Sequence, residues 1–541
     1  MKKHLLSFSR CAMLVVFLMT TVFAHAFDDG RYSFTITKQA TDTETGEVTL
    51  YAKKGETYSG KVSFPSVAYN SATEKWYDVT AIGNGVFQNN QEITELDMDD
   101  KLLKIKRMGE NAFAGCVSLK KILIHGNIET VGDGAFRGCT SLEDVTIGYG
   151  VVNFGSSSGY GVFQGCTSLK TIEIPYTVKY LGSNTFSGCT SLVNITLNSG
   201  LQNMGDRVFD GCSSLPLIVI PNSVEKIGQY CFAGCSNLTK ATLGGKISEM
   251  GDGLFKNDTK LAEVTIQDGC SVISSYTFQG CLALKEIVIP GSVKWIQQTA
   301  FAGCTKLESV TIGEGALYLG SSSYSTGVFD GCTSLKNVIL PSTLINIHHY
   351  AFRGCSSLEK ITLNEGLQYM GERVFDGCSA LQSIVIPNSV AKIGQYCFAG
   401  CSSLTQATLG AKISEMGESL FKNDAKLAEV TIKDGCSIIS SYTFQGCLAL
   451  KEIVIPGSVE WIQQTAFAGC TKLESVTIEE GVLYLGSSSY STGVFEGCTQ
   501  LWKVQLPRKL SRNSSIVTIS KAMQPLSVPS SNVSRTISVK R

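Results

Sequence analysis

The stretch Leu284-Lys-Glu-Ile-Val-Ile-Pro-Gly-Ser-Val-Lys-Trp-Ile-Gln-Gln-Thr-Ala-Phe-Ala-Gly-Cys304 decides the architecture. Ile287 and Ile289 stand two apart, so they point to one side of a short strand, with Leu284 turned inward ahead of them. Pro290 ends the strand by withholding a backbone donor. Val293, Ile296, Ala300 and Phe301 carry apolar side chains around the rest of a coil, and Gly303 permits the tight bend back toward the next strand. Such a coil buries only one side of itself, so its neighbours must supply the rest of the core.

The chain repeats this unit. The phrase Phe-x-Gly-Cys-x-x-Leu occurs as Phe113-Ala-Gly-Cys-Val-Ser-Leu119, Phe186-Ser-Gly-Cys-Thr-Ser-Leu192 and Phe352-Arg-Gly-Cys-Ser-Ser-Leu358, and its Phe position is filled 18 times from Phe87 to Phe495, mostly at intervals of 23 residues. A period of this length with Leu-x-x-Ile-x-Ile spacing is the signature of leucine-rich repeats. We therefore expect an α/β-type repeat solenoid, a right-handed curved array with one short parallel strand per repeat and the Phe rings stacked rung on rung as an apolar spine. A longer period lies above the first: the intervals Phe163 to Phe329 and Phe329 to Phe495 are both 166 residues, and the copies 163–328 and 329–494 are close to identical from Val208 and Val374 onward. Block duplication lengthens a surface without creating a new site.

Of the 20 cysteines, 15 sit at the one repeat position. At that position Asp258, Asp424 and Asn90 replace Cys, an interchange that fits a small buried residue bonded to the turn backbone better than a disulfide framework. The repeat thiols are expected to be free. Cys231 with Cys235, and Cys397 with Cys401, are spaced closely enough to leave a bond between them open.

The phrases Ile220-Pro-Asn-Ser-Val224, Ile386-Pro-Asn-Ser-Val390 and Ile455-Pro-Gly-Ser-Val459, the Ile-Gly-x-x-Ala-Phe pattern, and the opening Tyr58-Ser-Gly-Lys-Val-Ser-Phe-Pro65 followed by Val79-Thr-Ala-Ile-Gly83 resemble the surface leucine-rich repeats of the Treponema pallidum and BspA type, common in Bacteroidetes. The resemblance covers roughly residues 60–506. It implies surface exposure, adhesion to host matrix proteins or to other cells, and no enzymatic activity. No wall-anchoring motif, carbohydrate-binding module or sorting domain follows the repeats.

Residues 1–26 read as a secretory signal peptide: Lys2 and Lys3 precede the apolar run Met13 to Phe23, which ends in Ala24-His25-Ala26. No later stretch approaches the roughly 20 apolar residues of a membrane span. Export to the medium or the cell surface is the expected destination. Residues 27–82 alternate apolar and polar positions, as in Val48-Thr-Leu-Tyr51, and read as a β-rich cap over the first rung of a solenoid running over 83–506. Residues 507–541, rich in Ser and basic side chains, are expected to be largely disordered. The whole chain carries 46 basic and 46 acidic residues. Since the tail concentrates the basic ones, the body is acidic, which argues against a nucleic-acid partner.

The residues of each strand that point away from the core form the candidate binding face. Its columns run through Thr146, Glu173, Thr196, Val219, Thr242, Thr265, Val288, Thr311, Ile339, Thr362, Val385, Thr408, Thr431, Val454 and Thr477. All but Glu173 are uncharged and β-branched. That composition suits a strand in its own right, but as a continuous strip it also suits burial against a protein partner. A glycan-binding surface or a structural spacer is the alternative, for which exposed aromatics such as Tyr324 and Tyr490 speak. We expect no cofactor and no metal. The histidines His125, His348 and His349 lack metal-ligand spacing, His348 reads as part of a solvated turn, and Asp97-Met-Asp-Asp100 and Asp42-Thr-Glu44 lack the pattern of a calcium loop.

Overall fold

The structure, a computed structural model, describes residues 26–98, 102–322, 326–486, 493–507 and 535–538. The expected signal peptide before Ala26, Tyr324, Tyr490, Asp99, Asp100 and most of the tail lie outside the described residues. Two compact units divide at Leu238 and Thr239.

The first unit begins with six strands: β1 (Ala26–Asp29), β2 (Tyr32–Lys38), β3 (Gly46–Ala52), β4 (Gly60–Ser63), β5 (Val67–Asn70) and β6 (Lys75–Ile82). β1, β2 and β3 pair antiparallel in order, and β5 forms an antiparallel ribbon with β6. β3 then pairs parallel with β6, and β4 parallel with Ile93–Asp97. Phe34, Val48, Leu50 and Tyr77 fill the space between them. Tyr58 and Phe64 pack edge-on against Phe87, the first ring of the spine, at 5.0 and 6.3 Å.

From Ile93 onward the repeat makes two parallel ladders rather than the expected one. The first ladder holds the Ile-x-Ile strands, for example Thr171–Ile174 beside Asn194–Leu197, with Thr171 opposite Asn194 and Glu173 opposite Thr196. The second consists of two-residue strands nearly halfway around each coil, such as Arg107–Met108, Thr130–Val131, Asn153–Phe154 and Tyr180–Leu181. The described residues contain no helix, so the α/β label gives way to an all-β coil. The reason lies in the connection: between Ile296 and Cys304 the chain turns at both Thr299 and Gly303, which have φ of 63° and 74°. Two left-handed residues four apart rule out a helical turn between them.

Those turns are themselves bonded from coil to coil. The Phe113 N–H donates to the Ala135 carbonyl at 2.8 Å and the Gly115 N–H to the Arg137 carbonyl at 2.7 Å; the second unit repeats this, with Phe352 bonded to Val374 and Gly354 to Asp376, each at 2.8 Å. The turns as well as the two ladders therefore bond to the next coil, which satisfies buried backbone groups with no helix among the described residues.

Inside, the Phe rings stack as expected. Phe113 to Phe136 and Phe136 to Phe163 lie 5.4 and 5.5 Å apart at interplanar angles of 7° and 6°. In the second unit Phe352 and Phe375 lie 5.3 Å apart at 4°.

All 19 cysteines from Cys116 onward are buried and free. The 15 at the repeat position place Sγ 3.1 to 3.4 Å from the carbonyl oxygen of the Phe one coil back. Cys231 instead donates to the Gly205 carbonyl at 3.0 Å, so it forms no bond with Cys235. Asn90 does the same work with its amide, donating to the Tyr58 carbonyl at 2.9 Å. Asp258 and Asp424 occupy this position with no exposed surface. Burial pushes the Asp424 carboxyl up to about 9, so at neutral pH it is a neutral acid.

At the far end Arg535–Ser538 forms a strand antiparallel to Lys503–Leu506, the last strand of the first ladder, and the other residues from 508 onward lie outside the described residues.

Candidate functional site

The first ladder turns alternate residues inward and outward, and the candidate strip lies wholly on the outward side. Thr146, Glu173, Thr196, Val219, Thr265, Val288, Ile339, Thr362, Val385, Thr431 and Val454 are exposed; Thr242, Thr311, Thr408 and Thr477 are half-exposed. Their inward neighbours Ile172, Ile287, Val310, Ile384 and Val476 are buried. In register, Val288 lies opposite Thr311 and Thr311 opposite Ile339. Val385, Thr408 and Thr431 form a second such column, and Val454 with Thr477 continues into Gln505. Thr362 keeps its outward place, with Ile361 and Leu363 buried beside it, although residues 360–363 do not form a strand.

The strip exposes aliphatic surface that the core does not use. Val288 is 65 % exposed and Ile339 59 %, and Val219, Val385 and Val454 are comparably bare. The parallel outward column two residues earlier is more polar, with Lys121 paired to Asp144 at 3.1 Å and Lys240 to Glu263 at 2.9 Å. The surface is thus an apolar and hydroxyl strip beside a partly charged one. It offers shape and low desolvation cost to a partner.

The buried thiols are held in the protonated form. Burial raises Cys270 and Cys436 to about 11 and Cys116, Cys189 and Cys304 to about 12, which leaves almost no thiolate at neutral pH. His349 is buried and its Nδ1 accepts the Glu372 N–H at 3.0 Å. His348 is not part of a solvated turn: it is half-buried, with its ring 5.5 Å from that of Tyr369. Burial lowers both imidazoles below the usual histidine range. Among the described residues no group of three His, Cys, Asp or Glu side chains could hold a metal ion, and no helix is long and apolar enough to cross a membrane.

The sequence missed a second exposed surface. On the second ladder the outward residues of successive rungs in the second unit include Trp295, Tyr318, Asn346 and Tyr369, and further on Trp461 and Tyr484. The recurrence of Trp-Ile and Tyr-Leu dipeptides 23 residues apart was the available signal.

Comparison with known proteins follows the same lines. The profile of the BspA type leucine rich repeat region matches in 6 copies over residues 63–160, 157–285, 271–327, 323–450 and 437–532. The crystal structure of a leucine-rich repeat protein from Bacteroides ovatus is similar at 26 % identity, over 80 % of this chain and 95 % of that one, with a TM-score of 0.53. A leucine rich cell surface protein from Faecalibacterium prausnitzii matches at 24 % identity over 72 % of this chain and 94 % of that one, with a TM-score of 0.37. The T. pallidum leucine rich repeat protein matches at 22 % identity over 42 % of this chain and 87 % of its own, with a TM-score of 0.30. No curated protein matches the sequence.

Proposed function

The chain belongs to the BspA-type leucine-rich-repeat family, and on that premise we propose that it is an exported or cell-surface binding protein whose ligand is another protein. Adhesion to host matrix proteins or to other cells is the role this serves. The N-terminal residues 1–26 act as the export signal, β1 to β6 close the first rung, and the outward strip of the first ladder is the binding face.

One observation carries the reading. Val288, Thr311 and Ile339 stand side by side in register with Val288 and Ile339 more than half exposed, and the same kind of column returns at Val385, Thr408 and Thr431. Uncharged strand residues can be buried against a partner without stripping water from ions. Because Val219, Thr242 and Thr265 return with the 166-residue block as Val385, Thr408 and Thr431, contacts repeat along one ligand or many, and avidity exceeds the strength of a single contact.

The test is a binding screen against matrix proteins and whole cells, followed by charge insertion at Thr196, Thr265, Thr362 and Thr431 in a variant whose melting temperature is unchanged. Binding by the native protein and its loss in the variant is the expected result. Retained binding would remove the strip from the role.

A further inference from the structure

We propose that the exposed aromatic ribbon on the second ladder of the second unit is a platform for an uncharged saccharide, a surface separate from the strip to which protein binding is assigned. Trp295 lies directly opposite Tyr318, Tyr318 opposite Asn346, and Asn346 opposite Tyr369. One block later Trp461 lies opposite Tyr484. The two Trp and two neighbouring Tyr side chains are between 36 and 45 % exposed, so each presents surface to solvent while its inward neighbour, Ile296, Leu319, Ile462 or Leu485, is buried in the core.

The rings are held, not merely present. The Trp295 indole N–H donates to the Gly320 carbonyl at 2.7 Å, and the Trp461 indole N–H to the Gly486 carbonyl at 3.3 Å. Trp295 and Tyr318 meet at 6.4 Å and 66°, Trp461 and Tyr484 at 6.2 Å and 60°. With the indole donor spent on backbone, what each Trp offers a ligand is its π surface. An aromatic face so offered stacks on apolar C–H surface, or attracts a cation. Ring centroids 6.4 and 6.2 Å apart lie within reach of adjoining sugar units, and Asn346, half-exposed in the same column, supplies an amide of the kind that hydrogen-bonds hydroxyls.

The two copies decide the charge of the ligand. The residue immediately before the Trp is Lys294 in one copy and Glu460 in the other, both exposed. A cationic ligand would be repelled beside Lys294 and an anionic one beside Glu460, whereas the aromatic pair and its backbone anchor are the same in both. The element common to the two sites thus suits a neutral ligand with apolar faces and hydroxyl edges. The half-buried His348, whose Cβ side adjoins Gly320 and whose ring lies against Tyr369, extends the first copy of the platform.

The experiment is native affinity electrophoresis of the full chain through gels containing laminarin, galactomannan, xyloglucan or soluble starch, with heparin and alginate as charged comparators. At least one neutral polysaccharide retards the protein, and Trp295→Ala with Trp461→Ala weakens that retardation at least tenfold. If this pair fails to fold, Tyr318→Ala with Tyr484→Ala takes its place and is expected to have the same effect. Charge insertion at Thr265 and Thr431 leaves the retardation unchanged, which separates this surface from the first-ladder strip. Retardation by none of the neutral polysaccharides, by heparin or alginate alone, or equally in a folded aromatic variant overturns the proposal.

Discussion

The Cys304 thiol lies 3.1 Å from the carbonyl oxygen of Phe278, one coil back, and that oxygen already accepts the Cys281 N–H of its own turn at 3.1 Å. One carbonyl therefore serves two coils. The cysteine works as a hydrogen-bond donor and a small apolar filler, and neither use needs a disulfide. Cys304→Ala should lower stability by ~1 to 2 kcal/mol, from the lost bond and the small cavity, while the leucine-rich-repeat fold persists. Denaturant unfolding measures the difference; no change would remove the thiol bond from the account.

Thiol chemistry should follow burial. In the folded protein iodoacetamide labels almost none of the 19 buried cysteines, because burial raises their pKa and hides them. In denaturant without reductant all of them should label. Mass spectrometry that finds a large unlabelled set after denaturation would show disulfides instead.

Asp424 should make stability fall as pH rises. Its carboxyl titrates near 9 in the folded protein and near ~4 when unfolded. Below the unfolded value both states are protonated and there is no penalty. Above it the unfolded state ionises and the folded state does not, so stability declines by roughly 1.4 kcal/mol per pH unit until the folded group also ionises near 9. Asp424→Asn or Asp424→Cys should therefore be more stable than the native chain at pH 8, with the gain shrinking toward pH 4. A gain independent of pH would argue against the neutral buried acid.

The spine should be the least forgiving part of each coil. Phe352 has no exposed surface and stacks on Phe329 and Phe375 at 5.4 and 5.3 Å. Phe352→Ala should cost ~3 to 5 kcal/mol, and Phe352→Leu distinctly less. Thermal melts of both variants test the ranking.

The strand Arg535–Ser538 covers the outer edge of Lys503–Leu506. Removing residues 508–541 should lay that edge open and favour self-association, measurable as a concentration-dependent sedimentation shift. A truncated chain that stays monomeric would show that the edge needs no cover.

Much of this was legible in the sequence because the repeat writes the same constraint many times. Phe352 and Cys355 recur at fixed intervals, so one physical role explains them all. The outward places of Val288 and Ile339 follow from strand alternation around Ile287 and Val338. The second ladder was not legible in the same way. A strand of two residues, Trp295–Ile296 or Tyr318–Leu319, is too short to show alternation, and its ladder emerges only when coils stack. Without it, Trp295 reads as one more apolar side chain and His348 as a turn residue. The absence of helix was also hidden, because positive φ at a β-branched residue such as Thr299 is imposed by coil-to-coil bonds and not by its own preference.

Backbone bonds that reach only from one coil to the next have an evolutionary corollary. Phe352 bonds to Val374 and Gly354 to Asp376, and such a joint is indifferent to how many coils lie beyond it. Gain or loss of a whole 166-residue block leaves every surviving joint intact, so unequal recombination between near-identical gene segments can change the count in one event. Related strains should carry alleles whose lengths differ by integral blocks, making the length of the exposed surface a heritable variable that selection can tune without a single amino-acid substitution.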